Sequence, residues 1–112
     1  MNQEEMLNSA AVYQQQLQGV MVQREATGMQ ILEIKKALEE LEKSTEQKDV
    51  YRIAGPILLK TPKDEVLKDL KEKEEALGVR LKAIEKEEKR IKIKIDEIKE
   101  QLTAALKKEK GG

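Results

Sequence analysis

Asp49-Val50-Tyr51-Arg52-Ile53-Ala54-Gly55-Pro56-Ile57-Leu58-Leu59-Lys60 interrupts a chain otherwise composed for helices. Val50, Tyr51, Ile53 and Ile57 favour extended backbone, and Gly55-Pro56 punctuates the middle. The pattern predicts a β-hairpin at about 50–60, with strands at about 50–54 and 57–60; a buried loop between two helices is the alternative. Such a hairpin is apolar on both faces, because Tyr51 and Ile53 alternate with Val50 and Ala54, and Leu58 with Ile57 and Leu59. A lone two-stranded hairpin is only marginally stable in water. Val50, Tyr51, Ile53, Ile57, Leu58 and Leu59 are therefore expected to meet strands of other subunits, which makes the hairpin an oligomerisation element.

Helices are predicted on either side. Towards the N-terminus, a helix over about 3–44 carries a heptad seam: Ala10, Leu17, Arg24, Ile31 and Leu38 in one register, Met6, Tyr13, Val20, Thr27, Ile34 and Leu41 in the other. Arg24 and Thr27 are polar interruptions. Gly19 and Gly28 each weaken this helix by up to ~1 kcal/mol relative to Ala. Towards the C-terminus, a helix over about 62–109 has a cleaner seam of Leu70, Leu77, Ile84, Ile91, Ile98 and Ala105 with Leu67, Glu74, Leu81, Glu88, Ile95 and Leu102. Thr61 is expected as its N-cap and Pro62 at its first position, with Asp64 and Glu65 opposing the helix dipole and Gly111-Gly112 ending it. Glu85/Lys89 and Glu88/Lys92 have the spacing of ion pairs along a helix. At the seam, Glu88 or Glu74 either pairs with a base such as Arg24 or reaches out to water. The fold class is mainly α: a long antiparallel two-helix coiled coil, its arms some ~60–70 Å long at ~1.5 Å per residue, joined by a short β-hairpin.

Composition closes off most chemistry. The 112 residues contain no Cys, His, Phe or Trp, and two Tyr. Disulfides, thiolate or imidazole metal sites and cysteine or histidine catalysis are excluded. Paired carboxylates such as Glu74/Glu75 and Glu87/Glu88 read as solvated helix faces, so no catalytic residue, cofactor or metal is expected and the chain is not read as an enzyme. Acidic and basic side chains balance at 22 each, which argues against nucleic acid as a partner. No apolar run suits a membrane span and the N-terminus lacks a signal-peptide pattern, so a soluble, cytoplasmic protein is expected. With few aromatics for a globular core, apolar surface must be buried in a thin seam or against other chains.

The layout resembles the prefoldin family, in particular its archaeal-type β subunits. The resemblance is carried by Tyr13-Gln14-Gln15-Gln16-Leu17-Gln18 and Lys36-Ala37-Leu38-Glu39-Glu40-Leu41 in the first helix and by the Val-Tyr-x-x-x-Gly hairpin of residues 50–55. Lys63-Asp64-Glu65, Leu70-Lys71-Glu72-Lys73, Leu77-Gly78-Val79-Arg80-Leu81 and Glu87-Glu88 continue it. A single hairpin is similar to the β class, since the α class carries two. The resemblance implies one prefoldin-like domain over 1–112 and an ATP-independent holdase without cofactors. It implies assembly of prefoldin α subunits with other β subunits into an α2β4 heterohexamer in which the short hairpin completes a β-barrel and the coiled-coil tips capture unfolded client proteins for a group II chaperonin. Pro56 directly after the glycine departs from the family pattern.

Near the expected tips, apolar residues exceed what one seam uses. Leu7, Ala11 and Val12 lie off the first seam, and Ile93, Ala104 and Leu106 off the second. With Met1, Met6 and Leu102 they form the candidate client-binding surface, flexible methionines suiting promiscuous contact. The competing interpretation is a wider coiled-coil core or frayed ends. The first thirty-two residues hold only four charges, Glu4, Glu5, Arg24 and Glu25, and are rich in Gln. A coiled-coil scaffold or tether without chaperone activity is the alternative function.

Overall fold

The computed structural model describes residues 1–44, 46 and 48–111, with main chain only at 110 and 111; Gly112, expected beyond the helix end, lies outside the described residues. In chain order the elements are α1 (Gln3–Lys43), β1 (Asp49–Ala54), β2 (Ile57–Pro62) and α2 (Lys63–Gly111).

A capping box starts α1. Asn2 Oδ1 accepts from the Glu5 backbone N–H at 2.8 Å, and the Asn2 amide donates back to the Glu5 carboxylate at 3.3 Å. Caps of this kind contribute about 1 kcal/mol. At the other end, the Ser44 carbonyl accepts from Lys63 Nζ at 2.6 Å, and the Lys63 N–H donates to the Lys48 carbonyl at 2.8 Å. Lys63 thus ties the exit of α1 to the entry of α2 and places a cation beside the C-terminal carbonyls of α1.

The strands pair antiparallel from Asp49↔Pro62 through Ile53↔Leu58 to Ala54↔Ile57, leaving Gly55-Pro56 as a two-residue turn. Gly55 has φ of 60°. Proline cannot take positive φ, so the type I′ turn is barred, and Gly-Pro matches type II′, whose first central position alone needs it. Pro56 therefore lies in the turn and deprives neither strand of a donor. β2 runs on through Thr61 and Pro62, beyond the expected strand end at about 60. This displaces the predicted cap: Thr61 is buried in the strand, its hydroxyl donates to the Leu59 carbonyl at 3.3 Å, and α2 begins only at Lys63.

The described residues form two compact units, Met1–Glu25 with Lys82–Gly112 and Ala26–Leu81. In the first, Ile91, Ile95 and Ile98 are buried, Ile91 most completely at 1% exposed, and Leu17, Tyr13 and Val20 are half-buried. In the second, Leu38 and Thr27 are buried, and Ile31, Ile34, Leu41, Leu67, Leu70, Leu77 and Leu81 half-buried. Each side chain of the two predicted seams is buried or half-buried, as helices packed along a 3.5-residue repeat require.

The polar seam positions part company. Arg24 donates to both carboxylate oxygens of Glu88 at 2.6 Å, and Lys92 lies 3.9 Å from the same carboxylate, whose side chain is 9% exposed. Gln3 donates to Glu109 at 2.8 Å. In both pairs the residue numbers add to 112, so in this unit the two helical segments run antiparallel in a single register. Glu74 is half-buried and, among the described residues, has no ion pair; Glu85 and Lys89 form none either.

Candidate functional site

Two surfaces carry the residues singled out from the sequence. The first is the hairpin. Residues directly opposite across a ladder share a face. Tyr51, Ile53 and Leu58 therefore share one face with Lys60, and they are 69%, 77% and 65% exposed. Val50, Arg52, Ala54, Ile57, Leu59 and Thr61 share the other. There Thr61 is buried, Val50 and Ala54 are half-buried, and Ile57 and Leu59 remain exposed. Arg52 reaches Asp69 on α2 at 2.6 Å and fixes the hairpin's orientation on that helix. Exposed on both flanks, the pair contributes less than about 1 kcal/mol. A groove of about 700 Å³ lies between β1 and α2, lined by Tyr51, Arg52, Ile53, Val66, Asp69 and Leu70 among others. Exposed apolar side chains beside unpaired strand edges invite further strands.

The second surface lies in the unit of Met1–Glu25 with Lys82–Gly112. Met1, Leu7, Ala11 and Val12 of the chain start, and Ile93, Ala104 and Leu106 of α2, are exposed. Met6 and Leu102 are half-buried in the seam. The Gln3–Glu109 hydrogen bond brings Met1 and Leu7 to the same end of this unit as Ala104 and Leu106, whereas the register set by that pair and Arg24–Glu88 puts Ile93 level with Gly19, away from that end. On α2, the Arg90 guanidinium donates to both oxygens of Glu87, at 2.6 and 3.1 Å, and holds that carboxyl below its usual range, chiefly through the hydrogen bond. This exposed pair contributes stability at neutral pH that is lost as pH falls through the lowered value.

Sequence reasoning missed Val22, which is 64% exposed at the seam-opposite position of α1, and likewise Met29, Leu32 and Val79 in the other unit. The signal was present, since all four fall outside both heptad registers. Among the described residues no group of three or more acidic side chains is placed to hold a metal ion, and no helix is long and apolar enough to cross a membrane.

The family model described as "Prefoldin subunit" matches residues 4–109. The chain is 43% identical to the prefoldin subunit beta of Pyrococcus furiosus over 102 residues, 91% of this chain and 87% of that one. It is 42% identical to the corresponding protein of Thermococcus onnurineus over 91% of this chain and 88% of that one. The crystal structure of the prefoldin beta subunit from Thermococcus strain KS-1 is similar with a TM-score of 0.86 and 41% identity, covering 92% of this chain and 90% of that one. Two long helices, one hairpin with a Gly turn and matched heptad seams thus coincide with similarity along nearly the whole length, and the chain belongs to the prefoldin family.

Proposed function

We propose that this chain acts as one domain, as the β-type subunit of an ATP-independent cytoplasmic holdase. Its hairpin joins those of prefoldin α subunits and other β subunits in a β-barrel platform of an α2β4 hexamer. Its coiled-coil ends hold unfolded client proteins and pass them to a group II chaperonin. The observation that carries this reading is the set of apolar side chains left uncovered at Leu7, Val12, Ile93 and Leu106. Each buried against a client contributes about 1–2 kcal/mol at ~25 cal/mol per Å². One subunit alone therefore captures weakly and reversibly. Several around one client raise avidity by roughly a hundred- to ten-thousand-fold, without nucleotide.

Deleting residues 1–10 together with 103–112, which removes Leu7 and Leu106 but keeps Val12 and Ile93, should leave the hexamer intact by native mass spectrometry and weaken its suppression of aggregation of a denatured client. Unchanged suppression would place the capture surface elsewhere. An intact full-length hexamer that protects no client would favour a scaffold instead.

A further inference from the structure

Between residues 6 and 23 there is no charged side chain, whereas more than half of residues 82–109 are charged. The apolar groups of the two segments accordingly sit in different surroundings. Ile93 stands between Lys92 and Lys94, and the latter pairs with Glu97 at 3.7 Å. A client laid over Ile93 must desolvate ions, at a cost of several kcal/mol for each one left unpaired. Between residues 6 and 23 of α1 no side chain imposes such a cost.

The exposed face of α1 has further features. Leu7, Ala11, Gln15 and Gly19 recur every fourth residue, and Val22 continues the row, with Val12 beside it; all are exposed. A Cβ built at Gly19 meets nothing within 4 Å. A mid-helix glycine costs about 1 kcal/mol relative to alanine, and nothing in the fold requires this one. It leaves a low point where another backbone can approach closely. The flanking Gln15 and Gln18 are exposed, and among the described residues their amides bond to no other protein group. An amide both donates and accepts. It can therefore satisfy the unpaired N–H and C=O groups of an extended chain, which a folded helix has already paired within itself.

We infer that the uncharged face of α1 between Leu7 and Val22 is the principal client-holding surface, taking an extended, apolar, uncharged segment of non-native polypeptide. The inference rests on the holdase reading above and names what that surface takes. Between residues 6 and 23, α1 itself offers a charged residue in the segment no counter-charge. At ~1.5 Å rise per residue the row is about 22 Å long. At ~3.3 Å per residue an extended chain covers it with about seven residues.

The test is fluorescence anisotropy of the assembled protein with a labelled peptide of about eight Val, Thr and Ser residues. Binding should weaken at least about tenfold in Val12→Glu/Val22→Glu, and no more than about threefold in Ile93→Glu/Leu106→Glu, with helicity retained in both. Gln15→Ala/Gln18→Ala, which keeps the face uncharged, should lose about threefold. Affinity should hold steady between about 50 and 500 mM salt, and fall when two peptide positions become Lys and Glu. Equal or greater loss in the α2 variant overturns this inference alone. So does tighter binding of a helix-forming Ala-Leu-Gln peptide. No binding to the wild-type protein by any of these peptides, or by a denatured client, overturns the holdase reading and this inference with it.

Discussion

Aspartate at both Ile53 and Leu58 should dissociate the assembly while leaving most of the helicity. The two residues are direct partners across the ladder, and both are exposed on the Tyr51 face. Burying each against a neighbour contributes about 1.5–3 kcal/mol, repeated at every contact around the oligomer. A buried, unpaired carboxylate reverses that gain. Two aspartates face to face also repel within the hairpin itself. Ile53→Lys with Leu58→Glu separates the effects, because opposite charges preserve the cross-strand pair yet still place ions in the interface. Both variants should run as small species in native mass spectrometry. Intact hexamers from either would remove the hairpin's outer face from the assembly contact.

The second large effect is expected at Arg24. Arg24→Leu leaves Glu88 buried with, among the described residues, one remaining ion-pair partner, Lys92 at 3.9 Å. Breaking a buried pair on one side costs on the order of 3 kcal/mol. Arg24→Leu with Glu88→Leu should recover that loss or exceed wild type, since the seam then continues apolar past Ile91 and Ile95. Urea unfolding followed by circular dichroism, at matched protein concentration because assembly contributes to stability, reads both. A single variant as stable as wild type would mean that the ion pair is not coupled to folding. The pair also marks register. A double variant that slips from the antiparallel alignment set by Arg24–Glu88 and Gln3–Glu109 would show that the charges choose among alignments the apolar seam tolerates equally.

Periodic burial was the legible part of this chain. Leu38, Ile84, Ile91, Ile95 and Ile98 announce themselves by falling on the two heptad seams, and among the described residues they are the buried apolar side chains. The strands were legible from Val50, Tyr51 and Ile53, but not their ends. Thr61-Pro62 has the local chemistry of a helix start, yet the ladder from Asp49 to Pro62 claims both residues for β2. Pairing with the partner strand outweighs a capping preference worth about 1 kcal/mol. Asn2-x-x-Glu5, the cap of α1, has the spacing of a capping box and lies outside the apolar periodicity that marks the helix. Arg52–Asp69 and Lys63–Ser44 join different elements, and no periodicity along the chain points to them. The residues proposed to hold clients were the least legible: lying outside the seam makes a side chain exposed, while the proposed role depends on the charges around it.

Sedimentation equilibrium of the purified chain at micromolar concentration examines most directly the claim that the Tyr51–Ile53–Leu58 face is unfinished without sibling strands. An oligomer is expected, alone or on adding an α-type partner, with no appreciable folded monomer. A stable, helical, monodisperse monomer that stays monomeric in the partner's presence would contradict it.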